Sequence, residues 1–102
     1  MKISSDINNL FECRDKSVKS KDRTLFLSTQ VGEIQGGGSS DYMALDDMDT
    51  VVLHEEAVSE IEKVVFVKET YKYTKNGKEP YSSYPVYFLV NTIKGWKIYR
   101  VR

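Results

Sequence analysis

Cysteine, histidine and tryptophan each occur once in this 102-residue chain, and proline only twice. A lone Cys13 can close no intramolecular disulfide and has no partner at a metal-ligand spacing, which excludes a disulfide scaffold and a zinc module. No metal or other cofactor is expected. The single His54 and Cys13 lie in unrelated contexts, so no Ser-His-Asp or Cys-His nucleophilic set can be assembled. No apolar run approaches the ~18 residues of a membrane span. Met1-Lys2-Ile3 turns at once into polar Ser4-Ser5-Asp6, without the apolar stretch of a secretory leader. A cytoplasmic protein with no membrane contact is the expectation. At 40% hydrophobic and 29% charged residues, the chain is neither disordered nor collagen-like. Its length fits one core, and residues 1–102 read as a single domain.

Lys and Arg are also missing from one whole third of the chain. Residues 1–30 sum to +2, residues 31–62 hold nine acidic and no basic side chains, and residues 63–102 sum to +7, so that the net charge is zero. The simplest consequence is that segments of opposite sign become neighbours in one sheet, where cross-strand pairs each contribute a few tenths of a kcal/mol. The basic residues are spread through predicted strands and the pI is 6.6, which argues against a nucleic-acid partner. Asp41, Asp46, Asp47 and Asp49 lack the Gly and terminal Glu of a calcium loop.

Ile7, Leu10, Phe11, Arg14 and Val18 fall on one face of a helix. Ser4, Ser5 or Asp6 can cap its start, and Asp22 reads as a second N-cap before Leu25-Phe26-Leu27. Gly36-Gly37-Gly38-Ser39-Ser40 breaks the chain, without the Lys-Ser/Thr of a phosphate loop. Residues 41–48 read as a brief helical turn and 50–61 as a strand. The last 40 residues carry three runs rich in β-branched and aromatic residues: Val64 to Tyr73, Tyr84 to Ile93, and Trp96 to Val101. Asn76-Gly77 between the first two is a strong hairpin signal, and Pro80 and Pro85 make the stretch between them irregular.

A two-residue turn at Asn76-Gly77 pairs Val65 with Phe88, Val67 with Val86, Glu69 with Tyr84 and Tyr71 with Ser82. One face then carries Val65, Val67, Glu69, Tyr71, Tyr84, Val86, Phe88 and Val90, and the other Val64, Phe66, Tyr87, Leu89 and Ile93. Both faces are apolar, which is unusual for a meander with one side in water. The N-terminal helices can cover only one of them. A homodimer through the outer sheet face covers the other with a single patch used twice, unless residues 41–62 fold over it.

The helical stretch Arg14-Asp15-Lys16-Ser17-Val18-Lys19-Ser20-Lys21-Asp22 with Leu25-Phe26-Leu27, then Tyr73-Thr74-Lys75-Asn76-Gly77-Lys78 and Gly95-Trp96-Lys97-Ile98-Tyr99, resembles the nuclear transport factor 2-like superfamily. Polyketide-cyclase-like and ketosteroid-isomerase-like proteins share that cone, which is also called cystatin-like. The likeness extends over nearly the whole chain in the order of elements. It implies an α+β fold with N-terminal helices packed on a curved antiparallel sheet, an open-mouthed cone, and dimerisation through the sheet.

Enzymes of that superfamily place an Asp or Glu base in an apolar cone with a Tyr donor, where burial raises the carboxyl pKa. Glu69, between Val67 and Tyr71, is the matching carboxylate. Arg14, the one charged residue on the apolar stripe of the first helix, is its natural ion-pair partner. Arg14, Glu69, Tyr71 and Tyr84 are therefore the expected ligand-binding residues. If the chain is an isomerase or cyclase acting on an apolar small molecule, Glu69 is the base and Tyr84 or Tyr71 the donor. The first expectation is a non-catalytic ligand-binding or protein-association domain. A third reading is an immunity- or inhibitor-type protein that docks through Asp46, Asp47 and Asp49 on a basic partner. His54, beside Glu55 and Glu56, reads as a solvated strand residue, and Cys13 as a helix-packing thiol.

Overall fold

The computed structural model describes residues 3–34, 38–73 and 78–102. Three helices lead into an antiparallel sheet: α1 (Ser5–Ser20), α2 (Arg23–Leu27), α3 (Ser39–Met43), β1 (Asp47–Ala57), β2 (Glu62–Tyr73), β3 (Lys78–Ser83), β4 (Val86–Thr92) and β5 (Gly95–Val101). The sheet order is β1-β2-β4-β5, with β3 paired to β2. The Asn76-Gly77 turn and the Gly36-Gly37 part of the breaker lie outside the described residues.

The helix spacing read from the sequence places the core. Ile7, Phe11, Arg14, Ser17 and Val18 are the buried residues of α1, and Leu10 packs half-buried against the same cluster. Ser4 is the N-cap position but its hydroxyl makes no cap bond; it donates instead to Glu55 Oε2 at 3.2 Å. Lys21 ends α1 in the left-handed region. Asp22 then caps α2, accepting from the Leu25 amide at 3.0 Å, as its position before an apolar turn predicts. Residues 41–62 split as expected, into a short helix and a strand, but β1 joins the edge of the sheet and does not roof its outer face.

The register differs from that of a two-residue turn. Val65 pairs with Tyr87, Val64 with Phe88 and Phe66 with Val86, and Glu69 pairs with Ser83, one residue away from the expected alignment. A shift of one residue turns every side chain of the second strand over. The inner face therefore holds Val65, Val67, Tyr87, Leu89 and Ile98 under α1, whereas Val86, Phe88 and Val90 point outward. The pairing is irregular between Tyr71 and Tyr73, next to Pro80, whose missing N–H suits a bulge and not a regular ladder. Further irregularities lie between Val52 and His54 and between Phe88 and Leu89. Each extra residue bends its strand and increases the local twist, which curves the sheet around α1.

Acidic β1 lies against basic β2, as the charge blocks predict. Lys72 Nζ reaches Asp49 at 2.6 Å and Asp47 at 3.9 Å, and Lys63 Nζ reaches Glu55 at 2.7 Å. Two of the three aspartates of the docking reading thus already have a lysine partner. Burial works against the Glu55 charge, but Lys63 and the Ser4 amide and hydroxyl outweigh it and hold the carboxyl below its ordinary value. This cluster fastens the start of α1 to the sheet. No helix among the described residues is long and apolar enough to cross a membrane.

Candidate functional site

The inner face of the sheet contains one concentrated polar cluster, built by five separate pieces of chain. α1 contributes Arg14, α3 contributes Tyr42, β2 contributes Glu69 and Tyr71, and β4 contributes Tyr87. The loop after α2 adds Thr29 and Gln30. Arg14 and Glu69 are both fully buried, at 0% exposure. Strand alternation puts Glu69 in line with Val65 and Val67 on the inner face, and helical spacing puts Arg14 in line with Ile7, Phe11 and Val18.

Glu69 accepts three phenolic hydrogen bonds. Tyr42 donates to Oε1 at 2.9 Å, Tyr71 donates to Oε1 at 2.5 Å, and Tyr87 donates to Oε2. Ser83 Oγ lies 2.8 Å from the Tyr71 hydroxyl, and the Tyr42 and Tyr87 hydroxyls are 3.1 Å apart. Burial, with the Glu69 charge added, raises the Tyr42, Tyr71 and Tyr87 phenols above their ordinary value. All three remain protonated donors at neutral pH. A carboxylate has about four acceptor positions, so three of them are taken.

Arg14 does not pair with Glu69. No Arg14 nitrogen lies within ion-pairing distance of that carboxyl, which corrects the expectation of a direct bridge; the tyrosines occupy the space around the carboxylate. Nη1 donates to Gln30 Oε1 at 2.8 Å and to Thr29 Oγ1 at 3.2 Å. The guanidinium carbon sits 4.3 Å from the Phe26 ring centroid, 4.8 Å from that of Tyr42 and 5.3 Å from that of Tyr87, a geometry of cation–π attraction. Burial opposes the Arg14 charge, but Tyr87, Tyr42 and Glu69 outweigh it, and the pKa lies above its ordinary value. Nε and Nη2 are buried without a hydrogen-bond partner.

Tyr84 is not part of this cluster. It is 66% exposed in the bend between β3 and β4, because the register places Ser83, not Tyr84, opposite Glu69. Tyr87 and Tyr42 take the donor positions that the sequence reading gave to Tyr84. An inward Tyr87 is visible in the sequence only as a residue alternating with Leu89, and the choice between the two alternations is a register question. Tyr42 lies three residues before Leu45, a helical spacing that marks an inward position, but nothing local pairs it with Glu69. His54 stands on the outer face, with Nε2 3.5 Å from Glu56 and its ring 5.9 Å from that of Phe66. Among the described residues no three His, Cys, Asp or Glu side chains group so as to hold a metal.

Asp15, next to Arg14, ties α1 to β1. Its carboxyl accepts from the Thr50 amide at 2.8 Å and from the Thr50 hydroxyl at 2.6 Å. Burial, opposed by those two bonds and aided by Asp49 and Glu69, pushes the Asp15 pKa from 3.8 up to about 6. The folded chain therefore holds this proton more tightly than the unfolded chain does. The group contributes most to stability below pH 3.8 and progressively less as the pH rises through about 6, by on the order of 3 kcal/mol. Asp15→Asn keeps a neutral side chain that can still bond Thr50. Its melting temperature relative to the native protein is expected to be higher at pH 7.5 than at pH 4, and an unchanged difference across that range would contradict the assignment.

No protein-family model matches the chain and no curated protein matches it in sequence. Solved structures do match it in shape. One is an NTF-2 like protein of unknown function from Shewanella oneidensis, with a TM-score of 0.72 and 11% identity over 91% of each chain. A domain of unknown function with a cystatin-like fold from Nostoc punctiforme has a TM-score of 0.70 and 13% identity, over 98% of this chain and 76% of that one. A ketosteroid isomerase-like protein from Erwinia carotovora atroseptica has a TM-score of 0.68 and 14% identity, over 95% of this chain and 91% of that one.

Proposed function

We propose that this chain, which has the nuclear transport factor 2-like fold, is a non-catalytic ligand-binding domain. Its site is the cluster of Arg14, Tyr42, Glu69, Tyr71 and Tyr87 between α1 and the sheet. The observation that carries this reading is a fully buried guanidinium whose Nε and Nη2 have no partner. Buried donors without partners are costly, and folded proteins seldom retain them without a role. A base-catalysed isomerisation is less well supported. A general base needs a lone pair facing the proton it removes, and phenols already take three of the about four acceptor positions of Glu69.

Titration with a set of neutral and charged monoaromatic fragments, followed by the ring resonances of Tyr42, Tyr71 and Tyr87, tests the reading. Saturable shifts of these rings, reduced in Tyr42→Phe, are the expected result. Rings that move with no fragment would remove the basis for a ligand site here.

A second role, self-association through the outer sheet face, is favoured by what that face exposes. Phe66 is 41% exposed and Tyr99 36%. Val64, Val86, Phe88 and Val90 are half-buried around them, and no other element of the described chain covers them. A homodimer is the proposed state, and light scattering at micromolar concentration checks it: a monomer there ends the idea.

A further inference from the structure

We propose that Arg14 recognises the carboxylate of a monoanionic ligand, gripping it side-on through Nε and Nη2. The proposal rests on the ligand-site reading above and adds the chemical class of the ligand.

A guanidinium is a planar fork with five N–H donors, and its Nε and Nη2 lie along one edge, spaced to meet the two oxygens of a carboxylate. In this protein the opposite side is already engaged, with Nη1 on Gln30 and Thr29. Those acceptors stand on a loop that pairs with β5: the Val31 amide donates to the Ile98 carbonyl at 2.9 Å, and the Ile98 amide donates to the Thr29 carbonyl at 2.9 Å. Main-chain bonds thus set the rotation of the guanidinium. The two donors without partners are the pair along the bidentate edge.

A purely structural arginine in this position would be expected to take Glu69 as its counter-ion. The cluster does the reverse. Three tyrosines hold the carboxylate, and Nε and Nη2 of the cation are left without a hydrogen-bond partner. Phe26, Tyr42 and Tyr87 surround the guanidinium carbon. Such walls exclude water and strengthen an ion pair formed between them. They also favour a ligand with an apolar or aromatic body behind the charged group. The nearby Glu69 charge selects against a dianion: one guanidinium cannot offset two negative charges beside a third. A singly charged planar carboxylate meets these conditions and a phosphate does not.

The probe is benzoate, with benzamide as its neutral isostere and inorganic phosphate as the anion control. The side-chain Nε–H resonance of Arg14 reports on the fork directly. Benzoate is expected to shift it saturably, benzamide not at all, and phosphate far less than benzoate. Arg14→Lys keeps the charge but loses the fork, and should weaken benzoate binding by about tenfold or more. Arg14→Met should abolish it; the Lys variant carries the test if the Met variant does not fold. Equal response to benzoate and benzamide, or native affinity in Arg14→Lys, overturns the proposal. If neutral fragments move the tyrosine rings while benzoate leaves Nε unmoved, the carboxylate class falls and the ligand site stands. If neither moves anything, both fall.

Discussion

Glu69→Ala is expected to destabilise the fold by about 3–5 kcal/mol, the range for removing one member of a buried charged network. The reason is the number of groups that depend on this carboxyl. Two buried phenolic hydroxyls, of Tyr42 and Tyr87, and the half-buried one of Tyr71 lose their acceptor, and Arg14, with no direct ion-pair partner, loses the negative charge closest to compensating it. Glu69→Gln should cost less, about 2 kcal/mol. Its carbonyl oxygen can still accept from Tyr42 and Tyr71, while the Tyr87 hydroxyl must turn to accept from the new amide. Adding Arg14→Met to Glu69→Gln is expected to cost less than the sum of the two single changes, by about 1 kcal/mol or more. Urea unfolding of the four proteins measures this. A native midpoint in Glu69→Ala would mean that the tyrosine cluster does not form around the carboxyl.

Tyr87→Ala and Phe88→Ala, neighbours in β4, are expected to behave in opposite ways. Tyr87 is fully buried, packs 5.2 Å from the Phe11 ring and bonds Glu69. Truncating it leaves a cavity under α1 and removes a donor, at about 3–5 kcal/mol. Phe88 lies outside, 6.3 Å from the Tyr99 ring and under the Arg100 guanidinium at 5.3 Å. Its loss should cost about 1 kcal/mol and, on the association reading, should weaken the dimer more than it weakens the monomer. Chemical unfolding and light scattering separate these outcomes. The reverse order of effects would restore the register implied by a two-residue turn at Asn76-Gly77 and would dismantle the site, since Tyr87 would then face outward.

Much of the architecture is legible in local patterns. The α1 face follows from the spacing of Ile7, Phe11, Arg14 and Val18, and Asp22 signals the second helix because its side chain satisfies an amide only three residues away. Arg14, Glu69 and Tyr71 are correctly placed in one inner cluster. Each of these assignments needs only the periodicity of its own element: 3.6 residues for the helix, and two for a strand whose Val65 and Val67 already mark the buried side. The opposition of acidic β1 and basic β2 is likewise written in the charge blocks.

Tyr84 shows where local reading stops. Its place depended on how β2 aligns with the following strands, and that alignment lies one residue away from the one a two-residue turn would give. The chain alone thus determined which side of α1 and of β2 faces inward, because that is settled by neighbours a few residues apart, whereas the inward side of β4 waited on its register with β2. Only the tertiary structure decided that Tyr42 and Tyr87 reach Glu69, and that Gln30 and Thr29 hold one side of Arg14. Those contacts join residues 15 to 27 positions apart, and their geometry is set by strand register and loop pairing, which no single segment encodes.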